Sequence, residues 1–194
     1  MKRIAMIVGA LLALGLAQPE PVPRPQAFGL QMGTPLSEVK ATVVLTPGPR
    51  AGLYIAKSLA KGDPGEFEAY MFVISPKQGL CKVGATGLTV DTGSGGSDLR
   101  MVFERIAGRL ATKYGDPEHS FDFLQAGSIW REPNEWMMAL KLKERVLANS
   151  WTGSDGVVIL LQANALSSNK GWVSLSYEFP NFRACTKELE TAIY

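Results

Sequence analysis

The strongest pattern in the chain runs from Ser97 to Pro117. Leu99, Val102, Phe103, Ile106, Leu110 and Tyr114 recur at the three- and four-residue steps that line one face of a helix. Arg100, Glu104, Arg105, Arg109 and Lys113 fall on the other face. Both ends carry signals. Ser97 or Asp98 can accept from the orphan N–H groups of the first turn. Gly115 suits the left-handed position after the last turn, Lys113 suits its negative end, and Pro117 prevents continuation.

Ahead of this helix the pattern is of strands. Phe28-Gly29-Leu30 reads as a short strand or anchor. Thr34 and Pro35 then open a short helix with Leu36, Val39 and Val43 as its apolar stripe. Leu53 to Leu59 is a first strand candidate, and Lys61-Gly62-Asp63-Pro64-Gly65 a turn. Glu66 to Ile74, rich in aromatic and β-branched residues, is a second strand. Leu80 to Val90 is a third, broken or bulged at Gly84 and Gly87. These three make an antiparallel meander.

After the helix, Phe121 to Leu124 is a short strand within a loop. Pro133 to Ala148 reads as a second helix, with Trp136, Met137, Leu140 and Leu147 along one side. Gly156 to Ala165 is almost wholly apolar and reads as a central strand. Trp172 to Phe179 alternates and forms a hairpin with it. Phe182 to Ile193 is a terminal helix. The fold class is α+β: antiparallel sheet segments packed on a central amphipathic helix. Both halves, 27–96 and 97–194, run helix then strands, an order compatible with a degenerate duplication.

The first residues carry an address. Lys2 and Arg3 precede an apolar run from Ile4 to Leu16, too short to span a bilayer comfortably. Gly15-Leu16-Ala17 places small residues at the −3 and −1 positions of a cleavage site, so residues 1–17 read as a signal peptide. Residues 18–26 are a proline-rich, disordered lead, and 27–194 form one domain. The whole chain has 20 Lys+Arg and 18 Asp+Glu. Lys2 and Arg3 leave with the signal, so the mature chain is formally neutral, 18 against 18. That balance argues against nucleic acid or anionic membrane as a partner. No later apolar run is long enough for a membrane helix.

Export changes the reading of the two cysteines, Cys81 and Cys185. An even pair in an oxidising compartment is expected to form a disulfide. The two cysteines and the one histidine, His119, cannot make a usual structural zinc site alone. No phosphate loop, dinucleotide fingerprint, zinc-protease helix or calcium loop is present, so no cofactor is expected. His119 reads as exposed beside a turn, with no serine, cysteine or aspartate spaced for a recognisable triad. Trp130, Trp136, Met137 and Met138 would suit an aromatic, methionine-rich groove. Core packing is the simpler use of them.

Phe28-Gly29-Leu30, Gly33-Thr34 and the helix ending Glu38-Val39 resemble the opening of several small secreted bacterial α+β domains. Among these are the small outer-membrane lipoprotein of the barrel-assembly machinery and the secreted β-lactamase-inhibitor proteins. This chain has no lipobox cysteine. A longer pattern is similar to uncharacterised exported proteobacterial proteins: Gly79 to Val83, Leu110, Lys113 to Pro117, Ile129-Trp130, and Leu175 to Phe179. The resemblance of the Phe28-Gly29-Leu30 opening implies an envelope-assembly or inhibitor-like partner protein, while the longer pattern implies no activity or site.

Thr89-Val90-Asp91-Thr92-Gly93-Ser94 resembles the catalytic loop of aspartic proteases, in which two facing carboxylates share a proton. Asp91 would be the catalytic residue. The chain has one such loop, a helix follows it where that family continues in β structure, and a second copy could come only from a dimer. The leading expectation is therefore a periplasmic or secreted protein that binds an envelope protein or a small ligand, monomeric or weakly dimeric and without catalytic activity. An aspartic peptidase using Asp91 is the alternative.

Overall fold

A computed structural model describes residues 24–60 and 65–191. The expected signal peptide, most of the proline-rich lead and turn residues 61–64 lie outside the described residues. The chain opens with a hairpin, β1 (Gln26–Ala27) and β2 (Leu30–Gln31), then α1 (Leu36–Thr42). Four strands follow: β3 (Thr46–Pro47), β4 (Leu53–Ala56), β5 (Phe67–Ser75) and β6 (Gly79–Gly87). A short β7 (Val90–Asp91) leads into α2 (Ser97–Tyr114). Then come β8 (His119–Leu124), a 3-10 turn (Pro133–Glu135), α3 (Trp136–Lys141), β9 (Arg145–Thr152), β10 (Val158–Ala165), β11 (Lys170–Glu178) and α4 (Phe182–Thr191).

All strands after the first hairpin join one nine-stranded antiparallel sheet in the order β3-β4-β5-β6-β11-β10-β9-β8, with β7 attached to β11. Two meanders thus meet where their last strands, β6 and β11, lie side by side. Residues opposite one another in a sheet share a face. Phe72, Val83, Tyr177, Ile159 and Trp151 are successive partners across five strands, and all are buried. This is the core face. On α2 the buried residues are Leu99, Phe103, Ile106 and Leu110, while Val102 and Tyr114 are partly covered. The helix packs on β9, β10 and β11. Trp151 Nε1–H donates to the Gly115 carbonyl at 3.0 Å and ties β9 to the helix end.

The first meander is covered differently. The β1–β2 hairpin has a two-residue turn, Phe28-Gly29, with φ of 51° and 77°. Two successive positive φ values are the geometry of a type I′ turn. Phe28 drives its ring edge-on against Phe67, Tyr70 and Tyr177, at centroid distances of 5.7, 5.4 and 5.4 Å. Burial, with Tyr114 beside it, pushes the Tyr177 phenol well above its ordinary value.

Several expectations are corrected. The helix read from Pro133 to Ala148 stops at Lys141. Lys143 takes φ 63°, its N–H donates to Leu140 and that of Glu144 to Ala139, which is a Schellman close with lysine where glycine is usual. The residues from Arg145 to Thr152 are a strand instead. Leu147 satisfied a helical count, but Leu147, Asn149 and Trp151 are alternate strand positions that share the core face, and the small Ala148 between them is buried as well. Neither expected N-cap acts as one. Gly96 caps α2 at φ 71°, and a Cβ there would lie 2.4 Å from the Trp136 ring. Asp98 instead accepts from Thr92 Oγ1 at 3.0 Å. Thr34 donates to Gln31 C=O, and Pro35 precedes α1 as its cap residue. The first strand ends at Ala56 and the third at Gly87. The register slips not at Gly84 but between Val73 and Ile74 on β5, where Cys81 is the extra residue opposite, and again between Phe67 and Ala69. At Gly87 a Cβ would sit 2.6 Å from Val173 O, so that glycine marks a close backbone approach.

Candidate functional site

The second face of the sheet is the candidate site. Its residues can be read directly from the register. One row runs across eight strands as Thr46, Ile55, Met71, Gly84, Ser176, Leu160, Ser150 and His119. Seven inter-strand steps of about 4.8 Å make it about 34 Å wide. A neighbouring row is Ala69, Thr86, Ser174, Gln162, Ala148 and Phe121. The row on the other side is Leu53, Val73, Lys82, Glu178, Val158 and Thr152.

These residues are apolar or small and neutral, with few charges. Met71 is 44% exposed, Leu160 39%, Val158 45%, Phe121 41% and Phe123 46%. Met71 lies over Gly84, its Cε 3.6 Å from where a Cβ would stand. Lys82 and Glu178 neutralise each other at 2.6 Å. Lys82 Nζ also sits 5.2 Å from the centre of the Phe182 ring at the start of α4. Large apolar side chains gathered on one uncovered face, when alternate residues are already buried on the other, mark a surface that something covers.

The disulfide sits at the margin of this face. Cys81 and Cys185 are bonded, with Cα atoms 6.3 Å apart. The bulge explains how. Bulges re-aim side chains, and this one frees Cys81 from the alternation that points Leu80 and Val83 into the core. The bond pins α4 to β6. Glu188 adds to the attachment, accepting from Ser75 Oγ at 2.8 Å and from the Lys77 N–H at 2.9 Å.

Asp91 lies elsewhere. It stands on β7 with its side chain 76% exposed, and its carboxylate bonds Lys170 Nζ at 2.9 Å. Thr92 and Asp98 hold the rest of that loop against the start of α2. His119 is exposed and opens β8, its ring 6.1 Å from that of Phe121. Trp136 and Met137 are buried in the core. The fold does not gather Asp91, His119 and the tryptophans into one place.

The residues of the open face were not singled out by the sequence pattern. Gly156 to Ala165 reads as a continuous apolar run, buried throughout. In the fold Ile159 and Leu161 are fully buried, whereas Val158 and Leu160 face outward. The available signal was the strict two-residue period imposed by a one-sided core, which leaves the outward apolar residues unaccounted for. Among the described residues no helix is long and apolar enough to cross a membrane. No protein-family model, no curated protein and no solved structure matches this chain.

Proposed function

We propose that this is an exported binding protein without catalytic activity of its own, holding a partner against the open face of its sheet. The observation that carries this reading is the contiguous outward row through Ile55, Met71 and Leu160, with Val158 and Phe121 beside it. Its near lack of charge favours an apolar protein surface over nucleic acid or a charged metabolite. The basic and apolar residues from Met1 to Ala17 support export, and the Cys81–Cys185 bond is compatible with an oxidising compartment. The Phe28-Gly29-Leu30 opening supports an envelope-assembly or inhibitor-like role within the same reading.

The order of elements supports a degenerate duplication. α1 is followed by the meander β3 to β6, and α2 by the strands β8 to β11. In this reading α2 is the helix around which both halves are organised. The test is retention of a partner from envelope extracts by the mature protein. Leu160→Glu should lose the partner and Met101→Glu, on the exposed side of α2, should keep it. Equal retention by the two variants would remove the open face from the account. A pepstatin-sensitive peptidase activity abolished by Asp91→Asn would replace the non-catalytic reading with the peptidase one.

A further inference from the structure

The two edges of the sheet are unlike. The β3 edge is two residues long and contains Pro47, which has no N–H to offer. The β8 edge is six residues, His119 to Leu124, exposed along its length except at Leu124. Gln125 N–H donates to Glu144 C=O at 2.7 Å, continuing the β8–β9 ladder. Odd-numbered residues of β8 therefore bond inward to β9, and Ser120, Asp122 and Leu124 direct their N–H and C=O groups outward. An exposed edge of this length, its one carboxylate, Asp122, neutralised by Arg145 at 2.9 Å, is a template for another strand.

We propose that β8 pairs antiparallel with β8 of a second copy, making a two-fold dimer with one continuous sheet. Self-complementarity selects the second copy as the occupant. A two-fold axis normal to the sheet keeps the open faces of both copies on the same side, so outward residues must meet outward residues. Two central registers fit that demand. One sets Asp122 opposite Asp122, which like-charge repulsion disfavours. The other sets Phe121 opposite Phe121, His119 opposite Phe123, and Ser120 opposite Asp122. That register keeps the two carboxylates apart and sets an aromatic ladder across the seam, while Ser120 Oγ keeps its bond to Asn149 Oδ1 and Asp122 its pair with Arg145. Within one copy the ladder already exists, with Phe121 and Phe123 centroids 6.4 Å apart at 72°. The dimer joins the two open faces, and its formation does not depend on any partner binding there.

Sedimentation equilibrium on the disulfide-intact mature protein, up to millimolar concentration, tests the pairing. The expected result is a concentration-dependent rise toward twice the monomer mass. Ser120→Pro, which deletes an outward N–H and no β8–β9 ladder bond, should leave the protein folded and monomeric. Single-cysteine variants test the register. Phe121→Cys should form an intermolecular disulfide at least tenfold faster than Phe123→Cys, because only position 121 faces itself. A wild-type protein that stays monomeric overturns the proposal, as does equal cross-linking at both positions. Dimerisation that survives Ser120→Pro but is lost in Leu160→Glu overturns it too, by moving the contact to the sheet face.

Discussion

Phe28, at the tip of the first hairpin, meets Tyr177 of the last strand edge-on, ring centroids 5.4 Å apart at 81°. The contact joins the N-terminal segment to the strand on which the two meanders meet. It holds although Phe28 occupies φ 51°, a conformation that costs a non-glycine residue roughly 1–2 kcal/mol. Three edge-on aromatic contacts at about 0.5–1.5 kcal/mol each, beyond the apolar area they bury, outweigh that cost.

Phe28→Ala should therefore destabilise by about 2–4 kcal/mol, below the figure for a fully enclosed ring because Phe28 is only partly buried. Gly29→Ala should cost about 1 kcal/mol, through backbone strain alone, since a Cβ there meets nothing within 4 Å. Urea unfolding of both variants checks the ratio. A larger loss at Gly29 than at Phe28 would contradict the anchoring role of the ring.

The two sides of α2 should differ sharply. Phe103 is 3% exposed, and Phe103→Ala should cost about 3–5 kcal/mol. Arg105 reaches Glu66 at 3.2 Å with its side chain 58% exposed, and Arg105→Ala should cost under about 1 kcal/mol. Similar urea midpoints for the two variants would mean that the helix packs by another face.

Reduction of the Cys81–Cys185 bond should lower stability by up to about 4–5 kcal/mol, as the chain-entropy model gives for a loop of about a hundred residues. Unfolding with and without reductant measures this. Thiol titration of denatured, unreduced protein should find no free thiol, and two titrating thiols would refute the bond.

Stability should fall in alkali through Tyr177. Its folded-state pKa is raised above 10.0 by burial first, then by Tyr114. The stabilisation is complete below the unfolded pKa, where both states keep the proton. Above it the unfolded chain ionises first, and stability falls by up to about 1.4 kcal/mol per pH unit until the folded phenol also titrates. Tyr177→Phe should flatten that decline above about pH 10. An unchanged slope in the variant would remove Tyr177 as its source.

The sequence made much of this visible, for physical reasons. The α2 stripe was legible because a helix of eighteen residues repeats its pattern through five turns. The strand at Arg145–Thr152 was not, because Leu147 continued the helical count and only the left-handed Lys143 breaks it. The cysteine pair followed from the expectation of export and from an even number of cysteines. The bulge that turns Cys81 toward α4 depends on a register slip between two strands, which no single strand encodes. The open face was hidden because Val158 and Leu160 are as apolar as the buried Ile159 and Leu161. Sidedness arises only when α2 and α3 cover one face and leave the other open except at its margin, where α4 packs on β5 and β6.

The central claim is that a partner occupies the open face, and site-specific photo-crosslinking tests it most directly. A photoreactive amino acid at Leu160, in the middle of the face, is compared in cells with one at Met101 on the exposed side of α2. The account predicts a discrete crosslinked species from position 160 and none from position 101. Absence of an adduct at 160, or the same adduct from both positions, would contradict it.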